Sequence, residues 1–105
     1  MPNFLYVYHG GRMPESKEEG ARSMQAWTTW LDGLGEAVVD GGHPVGKSKT
    51  MHPGGRVTND GGLSATSGYS MIKARDIDDA MSRTKGCPLL AVGGTVEVAE
   101  IMEMN

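Results

Sequence analysis

Apolar positions along the chain run in twos, then in threes and fours, then in twos again, and this order occurs twice. The first stretch, Phe4-Leu5-Tyr6-Val7-Tyr8-His9, is aromatic and β-branched and predicts a strand over residues 4–9. Alternation sets Leu5, Val7 and His9 on one face and Phe4, Tyr6 and Tyr8 on the other. Neither set is polar, so both faces are expected to be buried. Gly10-Gly11-Arg12-Met13-Pro14 ends the strand, and Ser16 followed by Glu19 has the spacing of a capping box, in which each side chain takes the other's free amide. A helix is expected over 16–34, with Met24, Trp27, Leu31 and Leu34 on its apolar face, Trp30 beside that stripe, and Gly33 and Gly35 as the stop. Val38 and Val39 mark a second strand at 37–40.

The second unit repeats the order. A strand is expected over 69–74 and a short helix over 77–85, opened by Asp76 and ended by Gly86 and Pro88. Thr95-Val96-Glu97-Val98 then alternates as a strand with one wet face. Between the units, residues 42–67 are rich in glycine and poor in apolar side chains. A structureless loop of that length is unusual in a compact domain, so a hairpin is expected, with 50–52 pairing with 56–58 around Pro53-Gly54-Gly55. Two strand–helix–strand units with a hairpin between them predict a ferredoxin-like α+β sandwich, a single domain over 1–105 with helices on one face of an antiparallel sheet. Such helices cover one sheet face, which leaves the other apolar set for a second copy. A homodimer is expected.

Composition narrows the classes. A net charge of -3 with scattered basic residues gives no reason to expect nucleic acid. No run approaches the ~20 apolar residues of a membrane helix, and no signal segment is evident, so no membrane association and a cytoplasmic protein are expected. The single cysteine, Cys87, cannot form an intramolecular disulfide and reads as a small buried residue. The eight methionines read as adaptable core filling.

Gly41-Gly42-His43-Pro44-Val45-Gly46-Lys47-Ser48 matches the phosphate-loop pattern letter for letter. That chemistry also needs a helix starting at the lysine and an acidic strand end for magnesium. The residues after Ser48 soon meet Pro53-Gly54-Gly55, so a glycine-rich turn leaving the sheet is the expectation and nucleotide binding the weakest alternative.

Tyr6–His9, Trp27 with Trp30, Val39-Asp40 with Gly42, Pro44 and Gly46, Gly68-Tyr69-Ser70, Asp76 with Ala80, Pro88 and Thr95-Val96-Glu97-Val98 together resemble the YCII-related family. The resemblance spans nearly the whole chain. It implies a ferredoxin-like dimeric α/β barrel and activities on small, often aromatic or halogenated, metabolites. Some branches of that family place a histidine on the first helix, paired with an aspartate; here that helix has none. Others carry Asp-Gly-Pro-Phe, for which the nearest match is Asp60-Gly61-Gly62-Leu63.

The polar residues that point to chemistry are His9, Asp40, His43 and Asp60, with His52 as a fifth candidate. Histidine exchanges a proton near neutral pH, and an aspartate that orients it makes a general base. Asp40 and His43 flank the glycines where the second strand opens, whereas His52 sits beside a turn, so His43 is expected to matter more than His52. The same residues also have plain structural readings, as a strand-end histidine and an Asp-Gly-Gly turn. Tyr6, Tyr8, Trp30 and Tyr69, with Trp27, are candidates to line an apolar pocket for a planar ligand. No ligand spacing for a metal exists, and no cofactor is expected. Two main readings follow: a lyase, isomerase or dehydrohalogenase acting on a small molecule by proton transfer, with His43 or His9 as base and Asp40 or Asp60 as orienting carboxylate, or a non-enzymatic metabolite-binding or accessory module.

Overall fold

The computed structural model describes residues 1–60 and 65–104. Strand β1 (Asn3–His9) leads to helix α1 (Lys17–Leu34), a 3₁₀ turn at Gly35–Ala37 and strand β2 (Val38–Asp40). A hairpin of β3 (Ser48–Met51) and β4 (Val57–Asp60) follows. Strand β5 (Thr66–Lys73), helix α2 (Ile77–Ser82), a 3₁₀ turn at Pro88–Val92 and strand β6 (Thr95–Glu100) complete the chain. The main sheet has the order β2-β5-β1-β6, every neighbouring pair antiparallel. This is the ferredoxin-like arrangement of an α+β protein. The sheet is open, with β2 and β6 as edges, so the barrel implied by the family resemblance is not closed by one chain.

Register fixes the two faces. Tyr6 lies opposite Ser70 and Val98, and Phe4 opposite Ile72. These side chains face the helices, and Phe4, Tyr6, Tyr8, Ile72, Ala74 and Ala80 form the buried core with Trp30. The other face carries Leu5, Val7, Tyr69, Met71 and Ala99, all half-buried, and Val39, which is 48% exposed. Within one chain, then, the expectation that both faces of β1 are buried holds for the helix face and not for the other. The molecule spans 46 × 42 × 18 Å, the short axis being one sheet and one helical layer. Its radius of gyration of 15.0 Å exceeds the roughly 13 Å of a compact chain of this length, as an uncovered sheet and a separate hairpin require.

Both helices begin as their sequences predict. Ser16 accepts the amide of Glu19 at 3.0 Å, and Asp76 that of Asp79 at 2.8 Å. The return half of each capping box differs. Glu19 reaches back to the amide of Glu15 and Asp79 to that of Arg75, one residue beyond the cap. An arginine accounts for the reach at α1, since Arg12 holds the other Glu19 oxygen at 2.8 Å.

Helix α1 packs about a centre shifted from the predicted stripe. Trp30, only 9% exposed, is its buried residue, stacked 6.2 Å from Tyr6 and edge-on to Trp27 at 5.7 Å. Trp27, Leu31 and Leu34 flank it half-buried, while Met24 is 74% exposed. The methionines depart from expectation in the same sense: seven of the eight are exposed, and only Met71 is half-buried. Met1, Met102 and Met104 lie at the chain ends and Met51 in the separate hairpin, away from the aromatic core. The hairpin forms where predicted, with Thr50 opposite Thr58 and Met51 opposite Val57; its ladder stops short of residues 52 and 56 and extends two pairs further from the turn. Its strand begins at Ser48, so the phosphate-loop letters lead into β-structure and the helix start that a nucleotide site needs is replaced by a strand.

Candidate functional site

A cleft of about 590 Å³ lies between α1 and the turn that leaves β2. Tyr8, Met24, Trp27 and Leu31 form its apolar side. Gly41, Gly42, His43 and Pro44, with Ser67 and Gly68 of β5, form the other. Its size suits a small organic molecule.

The glycine side is built by close backbone approach. Gly42 has φ of 75°, and a Cβ there would stand 1.7 Å from the Tyr69 carbonyl oxygen. Only glycine meets both conditions. The amide of Tyr69 donates to the His43 carbonyl at 3.2 Å, and that of Val45 to Ser67 at 3.0 Å, so the segment after β2 runs on as an irregular edge of β5. Gly68 completes the approach, since a Cβ there would stand 3.1 Å from the His43 carbonyl.

A buried relay ties this turn to the core. Tyr8 donates its hydroxyl to Ser70 Oγ at 2.7 Å, and Ser70 donates to the Gly41 carbonyl at 2.6 Å. Burial pushes the Tyr8 hydroxyl up to about 12, against the opposing pull of the Ser70 bond, so it stays protonated as a donor. Tyr6 is raised further by the same desolvation, and its hydroxyl donates a hydrogen bond to the Ala80 carbonyl. Among the hydroxyl residues of β5, Ser70 carries no sign of this role in the sequence; it follows only once pairing with β1 places Ser70 opposite Tyr6 and within reach of the Tyr8 hydroxyl.

The residues singled out from sequence fall in different places. Asp40 is exposed, and its Oδ1 accepts the Gly42 amide at 2.8 Å, which makes it the closing group of the turn. His43 is exposed at the rim, with its ring 6.2 Å from that of Tyr69 at an interplanar angle of 63°. His9 stands on the open face of the sheet, 25% exposed, with Nε2 2.9 Å from Glu97 Oε1. This histidine–carboxylate pair has a partner that the sequence did not single out, because the pairing of β1 with β6 is not written in either strand. His52 is half-buried in the hairpin, with Nε2 3.0 Å from Thr58 Oγ1, so its ring is held rather than loose beside the turn. Asp60 ends β4, and its side chain lies, with residues 61–64, outside the described residues.

Of the aromatic candidates, Tyr8 reaches the cleft, with Trp27 beside it at 4.9 Å. Tyr6 and Trp30 are core residues, and Tyr69 lies on the open face. Cys87 is buried, and burial pushes its thiol up, away from a reactive thiolate. Among the described residues no group of three His, Cys, Asp or Glu side chains is placed to hold a metal ion. Among them too, no helix is long and apolar enough to cross a membrane.

No curated protein matches the chain. The sequence model of the YCII-related domain matches residues 4–105. The chain belongs to the YCII-related family.

Proposed function

We propose that this protein is a homodimer that binds a small, largely apolar metabolite in the cleft between α1 and the Gly41–Pro44 turn. The observation that carries this reading is the division of labour in the cleft. Tyr8, Trp27 and Leu31 supply apolar surface, while the polar groups of the turn are spent on each other: Asp40 on the Gly42 amide, Ser70 on the Gly41 carbonyl. A rigid backbone wall against an aromatic one suits a flat ligand, whose orientation is then set by few polar contacts. Dimerisation is supported by the open face, where Leu5, Val7, Met71 and Val39 stand with no layer of the described residues over them. Covering such side chains is worth about 1.5–3 kcal/mol each.

A second reading, proton transfer to or from the bound molecule, is favoured by the position of His43. Its carbonyl is held by the Tyr69 amide and the residue lines the cleft, so His43 is anchored at the cleft rim. Imidazole is the side chain best suited to general-base work near neutral pH. In this reading His43 is the base, while Asp40 acts indirectly by shaping the turn.

Backbone amide shifts during titration with a panel of small metabolites test the first reading. Gly41, Gly42 and Gly68 should move together for any true ligand; shifts that avoid all three would remove the cleft from consideration. For a ligand that also turns over, His43→Ala should lower the rate by at least ~10²-fold and His52→Ala should change it little. Equal rates in the two variants would remove His43 as the base.

A further inference from the structure

Trp27 and Ser23 border a second cavity as well, on the other side of α1. It measures about 670 Å³ and runs between the helix and the segment that begins at Gly86. Trp27, Trp30, Pro88 and Val92 give it flat apolar walls, and Arg12, Glu19 and Arg22 stand among its polar lining. Arg12 Nη1 donates to Glu19 Oε1 at 2.8 Å. That bond, the Glu15 amide and the nearby charges of Arg12 and Arg22 hold the Glu19 carboxyl below the usual range, so it is an anion at neutral pH. Two of the three charges cancel, and Arg22, which is exposed, leaves the rim with a net charge of about +1.

An independent feature lies in the wall. Trp30 Nε1 is buried and finds no acceptor among the described residues. Buried N–H groups are nearly always paired, so this one is an exception that asks for a partner. The adjacent Cδ1 corner of the same ring faces Gly86, where a Cβ would stand 3.8 Å away. Gly86 therefore places no side chain against the corner of the ring next to the unpaired donor.

We propose that this groove is a binding site, separate from the cleft at His43, for a small planar aromatic monocarboxylate carrying a hydroxyl on its ring. The ring packs against Trp27, Trp30 and Pro88, the carboxylate meets the Arg22 guanidinium, and the hydroxyl oxygen accepts the Trp30 N–H past Gly86. A guanidinium pairs with a planar carboxylate through two parallel bonds. A rim of net charge near +1 matches one negative charge better than the two of a phosphate. The proposal does not depend on any ligand occupying the first cleft.

The probe is 4-hydroxybenzoate, titrated into the full chain while the Trp30 indole N–H resonance is followed by NMR. The resonance should shift saturably with the shifts of Gly86 and Ala91. The neutral analogue 4-hydroxybenzamide and inorganic phosphate should each bind at least 5-fold more weakly. Arg22→Gln, a change at an exposed position, should weaken the probe at least 5-fold, with partial recovery in Arg22→Lys, while His43→Ala leaves its affinity unchanged. A Trp30 resonance that stays fixed at millimolar probe overturns the proposal. So does equal binding of the amide, an unchanged affinity in Arg22→Gln, or a set of shifts confined to Gly41, Gly42 and Gly68.

Discussion

Phe4, Tyr6 and Tyr8 stand on one face of β1, and Leu5, Val7 and His9 on the other, with only the pleat of one strand between them. The first three lie beneath α1 and α2 and are buried with Trp30, Ile72 and Ala80. The second three share their face with Met71, Ala99 and Val39 and remain half-open. Both sets are apolar, yet the described residues supply a covering layer for one only. A strand's pattern thus tells which side chains favour leaving water and is silent on what removes them. On the helix face the covering layer follows β1 in sequence; on the other face none of the described elements forms one.

The largest effect should come from the covered face. Tyr6→Ala removes a buried ring stacked on Trp30 and the hydroxyl bond to Ala80, and should cost about 3–5 kcal/mol in denaturant unfolding. An equal loss from Leu5→Ala in the isolated monomer would break the comparison, because it would mean that the open face is packed as tightly as the helix face.

The next largest should come from the open face and be read in assembly. Val7→Asp places a carboxylate at the centre of that face in both copies. Loss of about 1.5–3 kcal/mol per copy should weaken the dimer by roughly 10²–10⁴-fold, while the far-ultraviolet circular dichroism stays native. A dimer of unchanged affinity would move the interface elsewhere.

Acid sharpens the comparison by acting at the helix layer. The Arg12 hydrogen bond holds Glu19 below its ordinary range, and the Arg75 amide and the charge of Arg83 do the same for Asp79. The unfolded chain takes up these protons first as pH falls. The stabilisation is therefore complete above the ordinary carboxylate range, roughly pH 4, and is lost as pH drops through the lowered folded values. Asp79→Asn should flatten that part of a stability-versus-pH curve; an unaltered acid limb would show that Asp79 contributes nothing there. The smallest effect belongs to Glu97→Gln. Its pair with His9 is largely exposed, so the loss should stay below about 1 kcal/mol. A larger loss would mean that the pair lies in dry surroundings, as at the centre of an interface.

Elements whose instructions are local were legible in the sequence. Ser16 and Asp76 cap the helices, Pro53-Gly54-Gly55 turns the hairpin, and β1 and β6 alternate where expected. What failed to show were properties set by neighbours distant in sequence. Trp30 is central because Tyr6 and Tyr8 stand beneath it, and Met24 is left exposed at the border of the cleft. The site divides along the same line. Gly42 and Asp40 announce a tight turn in their own sequence, and the turn is there. The Ser70 relay, the His9–Glu97 pair and the contact of His43 with Tyr69 all depend on strand pairing and could not be read from any single segment.

The central claim is that the open sheet face is completed by a second copy of the chain. Sedimentation equilibrium at micromolar concentration tests it most directly. The expected result is a single species of twice the 11.2 kDa chain mass, shifted to the chain mass by Val7→Asp. A wild-type protein that sediments as a stable 11.2 kDa monomer would contradict the account.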